Sequence, residues 1–191
     1  KGQSGFAILK EYKSVLQIIL KAPQTMITVG IMLIISATGL ISSSFWGILV
    51  TEKLLIPEGS LATYQVVRSI VMLLFFFFGL SRIRALPFKI PMIFGFIGML
   101  LSQLILVVSP PQTPILLILS LAVEACSYAT LGPLVDKMVV VTVDAKERAR
   151  IQSLMFVVVI LLTSPFGWIA GKLSSIEKTL PFILNIVLYL L

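Results

Sequence analysis

The chain has 191 residues, 58% of them hydrophobic and 12% charged, with a mean hydropathy of +1.09. Those values exclude an ordinary soluble domain, because nothing in the chain supplies the charged outer faces that soluble core helices need. Lys and Arg number 15 against 8 Asp and Glu with no His, a formal +7. In an all-α, polytopic membrane protein this excess reads as topology and lipid headgroup contact and not as nucleic-acid binding.

The first five residues, Lys1-Gly-Gln-Ser-Gly, open without an initiator Met and read as the interior of a polar linker. Apolar runs follow at Met26–Val50, Leu61–Leu80, Leu86–Val108, Ile115–Val135, Ile151–Ala170 and Leu180–Leu191. A spanning helix needs about 20 apolar residues, so the first five predict complete transmembrane helices. The sixth predicts a span broken off halfway, and the chain reads as a fragment of a larger protein. The first run begins beyond residue 25 and is too long for the apolar region of a signal peptide.

Orientation follows from the basic residues, which concentrate in cytoplasmic loops. Lys1, Lys10, Lys13 and Lys21, then Arg82, Arg84 and Lys89, then Lys137, Lys146, Arg148 and Arg150 put eleven on one side; Lys53, Lys172 and Lys178 put three on the other. The N-terminus is therefore expected in the cytoplasm. Asp144, with Glu147 three residues on, predicts a helix start before the fifth span.

Ionisable groups within spans are costly, at least about 2.5–3.5 kcal/mol each, and usually face a cavity or a partner. Arg68 lies ~11 Å and Glu124 ~14 Å below the same boundary at ~1.5 Å per residue, so the two are expected to approach each other. Either a static ion pair that fixes packing or a role in substrate and proton coupling would suit them. Tyr64 and Gln65 share a helical face with Arg68, and Tyr128 shares one with Glu124. Ser36, Gly39, Ser43 and Gly47 form a small-residue stripe, expected to pack against another helical unit, or else to line a cavity. Phe45 and Trp46 lie near the outer end, as interfacial anchors or a ligand platform. Gly132-Pro133 predicts a kink or hinge in the fourth span, Gly167 and Gly171 predict close packing, and Phe75–Phe78 reads as lipid-facing bulk. Cys126 is the single cysteine, so no disulfide can form within the chain.

One internal echo is present: Leu80–Phe88 (LSRIRALPF) resembles Leu173–Phe182 (LSSIEKTLPF) with one inserted residue. Both segments fall between a second and a third span if the chain divides into two groups of three. They then lie on opposite sides of the membrane, as an inverted-topology repeat requires. Recurrence of Pro-Phe at helix entrances is the plainer alternative.

With these residues in view, the chain resembles the C-terminal six-helix half of a major facilitator superfamily transporter. Gly79-Leu80-Ser81-Arg82-Ile83-Arg84 is similar to that family's basic loop between the second and third helices of a half, with Ser81 where an acidic residue is usual. Ser164–Gly171 is similar to the Gly/Pro-rich stretch of the fifth helix. The resemblance implies two inverted three-helix repeats forming half of a twelve-helix transporter. Residues 1–25 are then the end of a central cytoplasmic loop with an interfacial helix over Ser14–Lys21, and residues 26–191 are the transmembrane domain. It turns Glu124 and Tyr128 toward a central cavity, and makes Gly79, Arg82 and Arg84 a conformational loop. The implied partners are the lipid bilayer, an N-terminal half of the same protein, a small-molecule substrate and protons, with no cofactor or metal. The implied activity is secondary active transport by alternating access, with proton-coupled efflux of drug-like compounds leading and nutrient or metabolite uptake by the same fold second. Short loops suggest a bacterial inner membrane.

A different class, an intramembrane enzyme, finds no footing. There is no His for Ser-His, Cys-His or His-metal chemistry, and there is no intramembrane Asp pair, phosphate-binding Gly-Lys loop or Cys-x-x-Cys. A non-transporting sensor or scaffold stays open.

Overall fold

The computed structural model describes residues 23–79, 83, 87–142 and 148–191. These form six α-helices and, among the described residues, no strand: α1 Pro23–Ile48, α2 Leu61–Phe78, α3 Lys89–Val108, α4 Pro114–Thr142, α5 Arg148–Ile176 and α6 Leu180–Leu190. Five of them are long and apolar enough to cross a membrane, and the chain is an integral membrane protein by that measure. Ser14–Lys21, Ser81, Arg82, Arg84 and the Asp144/Glu147 helix start lie outside the described residues.

Two helices outrun the apolar runs that announce them. α4 continues from Val135 to Thr142, through Gly132-Pro133 and past Asp136 and Lys137, and α5 continues from Ala170 to Ile176. Helical hydrogen bonding does not stop where hydropathy falls, and exposed Asp136 and Lys137 cost little once their side chains reach water. α3 starts at Lys89, three residues after the expected Leu86, with Pro87 and Phe88 ahead of it.

The bundle is built around α1 and α4. α4 packs on α3, α2 and α1; α1 packs on α5 and α6; α6 also contacts α3 and α5. α2 is peripheral: none of its residues is buried, and α4 is its principal neighbour. Large apolar side chains cover the outside, Phe77 at 68% and Phe78 at 71% exposed among them. Lipid is as apolar as they are, so helix association rests on packing and polar contacts instead of on water exclusion.

Small residues set the closest approach. A Cβ on Gly95 would stand 2.6 Å from Leu131 Cγ, and one on Gly98 would stand 2.1 Å from Ser127 Oγ, so α3 meets α4 along a glycine seam. Gly167 and Gly171 seat α5 on α1 less tightly, with Cβ positions 3.4 Å from Leu40 and 3.9 Å from Phe45. Hydroxyls inside the spans mostly donate to the carbonyl a turn earlier, as Thr38 does to Ile34 at 2.7 Å and Thr130 to Cys126 at 2.9 Å. These hydroxyls thereby find acceptors within their own helices, whereas Thr163 Oγ1 of α5 is buried without a partner.

The linkers α1–α2, α3–α4 and α5–α6 are tied together at one end. α1 runs into a wide turn at Leu49–Lys53. From there Lys53 Nζ donates to the Val107 carbonyl, Gln112 N–H to the Leu54 carbonyl at 2.8 Å, and Lys178 Nζ pairs with Glu52 at 3.1 Å. Leu55 and Gln112 hold left-handed backbone, φ 53° and 58°. Beneath these ties Trp46, Leu49, Val50, Leu54, Leu106, Leu117, Leu121 and Phe182 form an apolar plug.

Candidate functional site

A cavity of about 280 Å3 opens between α1, α2, α3, α4 and α6. α1 contributes Ile35, Thr38, Gly39, Ser42, Ser43 and Trp46, whose spacings of three and four place them on one face. Across from them stand Gln65 and Arg68 of α2, Met99 of α3, Leu121, Glu124 and Tyr128 of α4, and Tyr189 of α6. Arg68 and Glu124 are the only charged residues in the lining.

These two meet directly. Arg68 Nη2 donates to Glu124 Oε1 at 3.0 Å, with the Glu124 side chain 10% and the Arg68 side chain 32% exposed. The helices position them by depth: each sits two to three turns from the start of its helix at the end where the linkers are tied. Arg68 Nε is buried without a partner. The pair is thus held through one guanidinium nitrogen and not by the two-point fork of which Arg is capable.

Several other residues singled out in the sequence also reach this wall, and others do not. Gln65, Tyr128, Gly39 and Ser43 line the cavity. Tyr64 does not; it packs against the apolar plug with Phe45, Leu61 and Val107, a turn away from the ion pair. Ser36 is exposed, and Gly47 faces Leu61, with a Cβ position 3.9 Å from its methyl. Trp46 is buried in the cavity wall, 8% exposed, with its indole N–H unpartnered. A wholly interfacial seat at the end of the span does not describe it. Gly132 has open space around it and Pro133 lies within α4, and neither lines the cavity, although Tyr128 one turn earlier does; Gly79 closes α2 by donating its N–H to the Phe75 carbonyl at 2.7 Å.

Behind the cavity lies a neutral polar cluster, which a reading of ionisable groups alone does not reveal. Asn185 of α6 is fully buried; its Nδ2 donates to Ser42 Oγ at 3.1 Å and, at 3.5 Å, to Gln103 Oε1 of α3. Ser42 belongs to the cavity wall, so the amide braces that wall from outside. Asn185 is the single Asn in the chain and stands in the middle of the last apolar run, a signal as plain as a charge when polarity at depth is what is costly. Ser120 Oγ adds a further interhelical bond, to the Ser102 carbonyl at 2.9 Å.

Chemically the wall offers one cation, one anion, several hydroxyls and three aromatic rings around a space at the small end of ligand-site volumes. Among the described residues no group of three or more His, Cys, Asp or Glu could hold a metal ion. Comparison with known protein families, curated proteins and solved structures gives no match to this chain.

Proposed function

We propose that this chain is one six-helix half of a secondary active transporter of the major facilitator type, moving a small molecule by alternating access. The observation that carries the reading is the Arg68–Glu124 pair, its carboxylate buried and its guanidinium partly so, set in the wall of a polar and aromatic cavity within the apolar helices. Ionisable groups there are expensive and most often serve a substrate or ion path.

The helix contacts lend support. If the first three helices exchange with the last three, α1·α5 becomes α4·α2 and α3·α4 becomes α6·α1, while α1·α4 and α3·α6 map onto themselves; all of these pairs are in contact, and α5·α6 alone lacks a comparable contact in α2·α3. Two inverted three-helix repeats would pack in this way. The second half would stand against the α1, α2 and α4 side, and the eleven-to-three charge bias would put the linked ends of α1–α2, α3–α4 and α5–α6 outside the cytoplasm. Export of a drug-like compound in exchange for protons across a bacterial inner membrane is the mode we favour, with Glu124 as the proton-exchanging group.

The test is solute-driven proton movement. Full-length protein in liposomes loaded with a pH-sensitive dye is challenged with amino acids, sugars, organic cations and organic anions, beside a Glu124→Gln variant. At least one class should move protons in the wild type and fail to do so in the variant. Wild-type protein that catalyses neither proton-linked flux nor exchange of any class would leave a sensor or scaffold instead. Proton movement at the wild-type rate in Glu124→Gln would remove that residue from coupling.

A further inference from the structure

The charges of the cavity say more about the solute than that it is small, on an argument that rests on the transport reading. We propose that the site takes a zwitterion of amino-acid size with an apolar or aromatic substituent, its carboxylate received by Arg68 and its ammonium by Glu124.

The wall carries one positive and one negative group, 3.0 Å apart and joined by a single hydrogen bond. A singly charged ligand that displaces either partner leaves the other uncompensated, at a heavier cost for Glu124, 10% exposed, than for Arg68, 32% exposed. A neutral ligand leaves the pair closed and gains nothing from it. A zwitterion replaces both halves of the pair at once, and its two charges, carried on one carbon, match groups already adjacent. Arg68 has donors to spare for a two-point contact, since the present pairing uses Nη2 alone. The rest of the wall suits the substituent: Trp46, Tyr128 and Tyr189 supply rings, and Met99 and Leu121 apolar bulk.

Four probes of one shape separate the charge states: phenylalanine, N-acetylphenylalanine (anion), phenethylamine (cation) and N-acetylphenylalanine methyl ester (neutral). Calorimetric titration of the full-length protein in lipid nanodiscs should rank phenylalanine first, by at least ~10-fold over each of the others, equivalent to one ion pair of ~1.4 kcal/mol. Glu124→Gln should move preference toward N-acetylphenylalanine and Arg68→Gln toward phenethylamine, a crossover that a purely structural pair would not produce. Equal or tighter binding of a singly charged or neutral probe overturns the substrate class whether or not the variants fold, and so does binding of none of the four. Radiolabelled counterflow in liposomes keeps the two readings apart. Flux of some other solute class without phenylalanine binding sinks the zwitterion alone. Phenylalanine binding without flux of any solute sinks transport and leaves a zwitterion sensor.

Discussion

Substituting Gly98 with Ala tests whether α3 and α4 approach as closely as described. The added Cβ would lie 2.1 Å from Ser127 Oγ and 3.2 Å from Ser127 Cβ. Rotating the hydroxyl away relieves the first contact but gives up its 2.7 Å bond to the Val123 carbonyl, worth ~1 kcal/mol, and leaves the second. Overpacking of this kind costs about 1–3 kcal/mol, against a gain of ~1 kcal/mol from replacing Gly within a helix. A net loss of ~1–3 kcal/mol is expected in an SDS-titration unfolding assay. Ser127→Ala removes the nearest atom, so the double variant should recover most of that loss, a coupling of ~1 kcal/mol or more between the two sites. Gly30→Ala is the control, since nothing lies within 4 Å of its Cβ position, and it should be neutral or stabilising. Gly98→Ala as stable as wild type, with Gly30→Ala behaving as expected, would refute the seam.

Four further predictions follow from geometry. Glu124→Ala strands Arg68 and should cost ~1–3 kcal/mol, less than a fully buried pair because Arg68 is a third exposed; the reversed pair Arg68→Glu with Glu124→Arg should recover more than half of the Arg68→Glu loss in the same titration. Asn185→Leu and Ser42→Ala should be coupled by ~0.6 kcal/mol in a double-mutant cycle, the usual worth of such a bond in a membrane bundle; additivity within error would remove the brace. Gln112→Gly should raise stability by up to ~1 kcal/mol, because φ 58° strains any residue with a Cβ and the side chain is exposed; a loss would show the strain to be absent. Lys178→Gln should change stability by less than ~1 kcal/mol, since both members of its pair with Glu52 are open to solvent; a larger loss would mean that the linker ties act as one network.

The membrane class and the number of helices were legible because hydropathy over 20 residues is an averaged signal that no single side chain can overturn. The Arg68–Glu124 meeting was legible for a different reason: both are charges at depth, and helical rise turns sequence offset directly into height. The glycine seam was not. Gly95 and Gly98 sit in an apolar run where a small residue looks the same whether it faces lipid or a neighbour, and only the partners, Leu131 and Ser127, decide. Tyr64 shows the limit of face sharing: it is one turn from Arg68, but the plug around Trp46 claims the ring before the cavity can. Asn185 is readable in principle, but not from charge alone: the quantity that matters at depth is any polar group without water.

The chain has two indoles, and they occupy opposite surroundings. Trp46 is enclosed in the cavity wall; Trp168, on the outside of α5, is 65% exposed with the Lys172 ammonium 4.0 Å from its ring centroid. The molecule therefore carries a built-in optical pair. Emission from the first should respond to whatever fills the cavity, and emission from the second to the lipid and charge outside it. Replacing Trp168 with Phe leaves a single indole in this chain, one that watches the interior, so occupancy and bilayer composition can be read separately without attaching a dye.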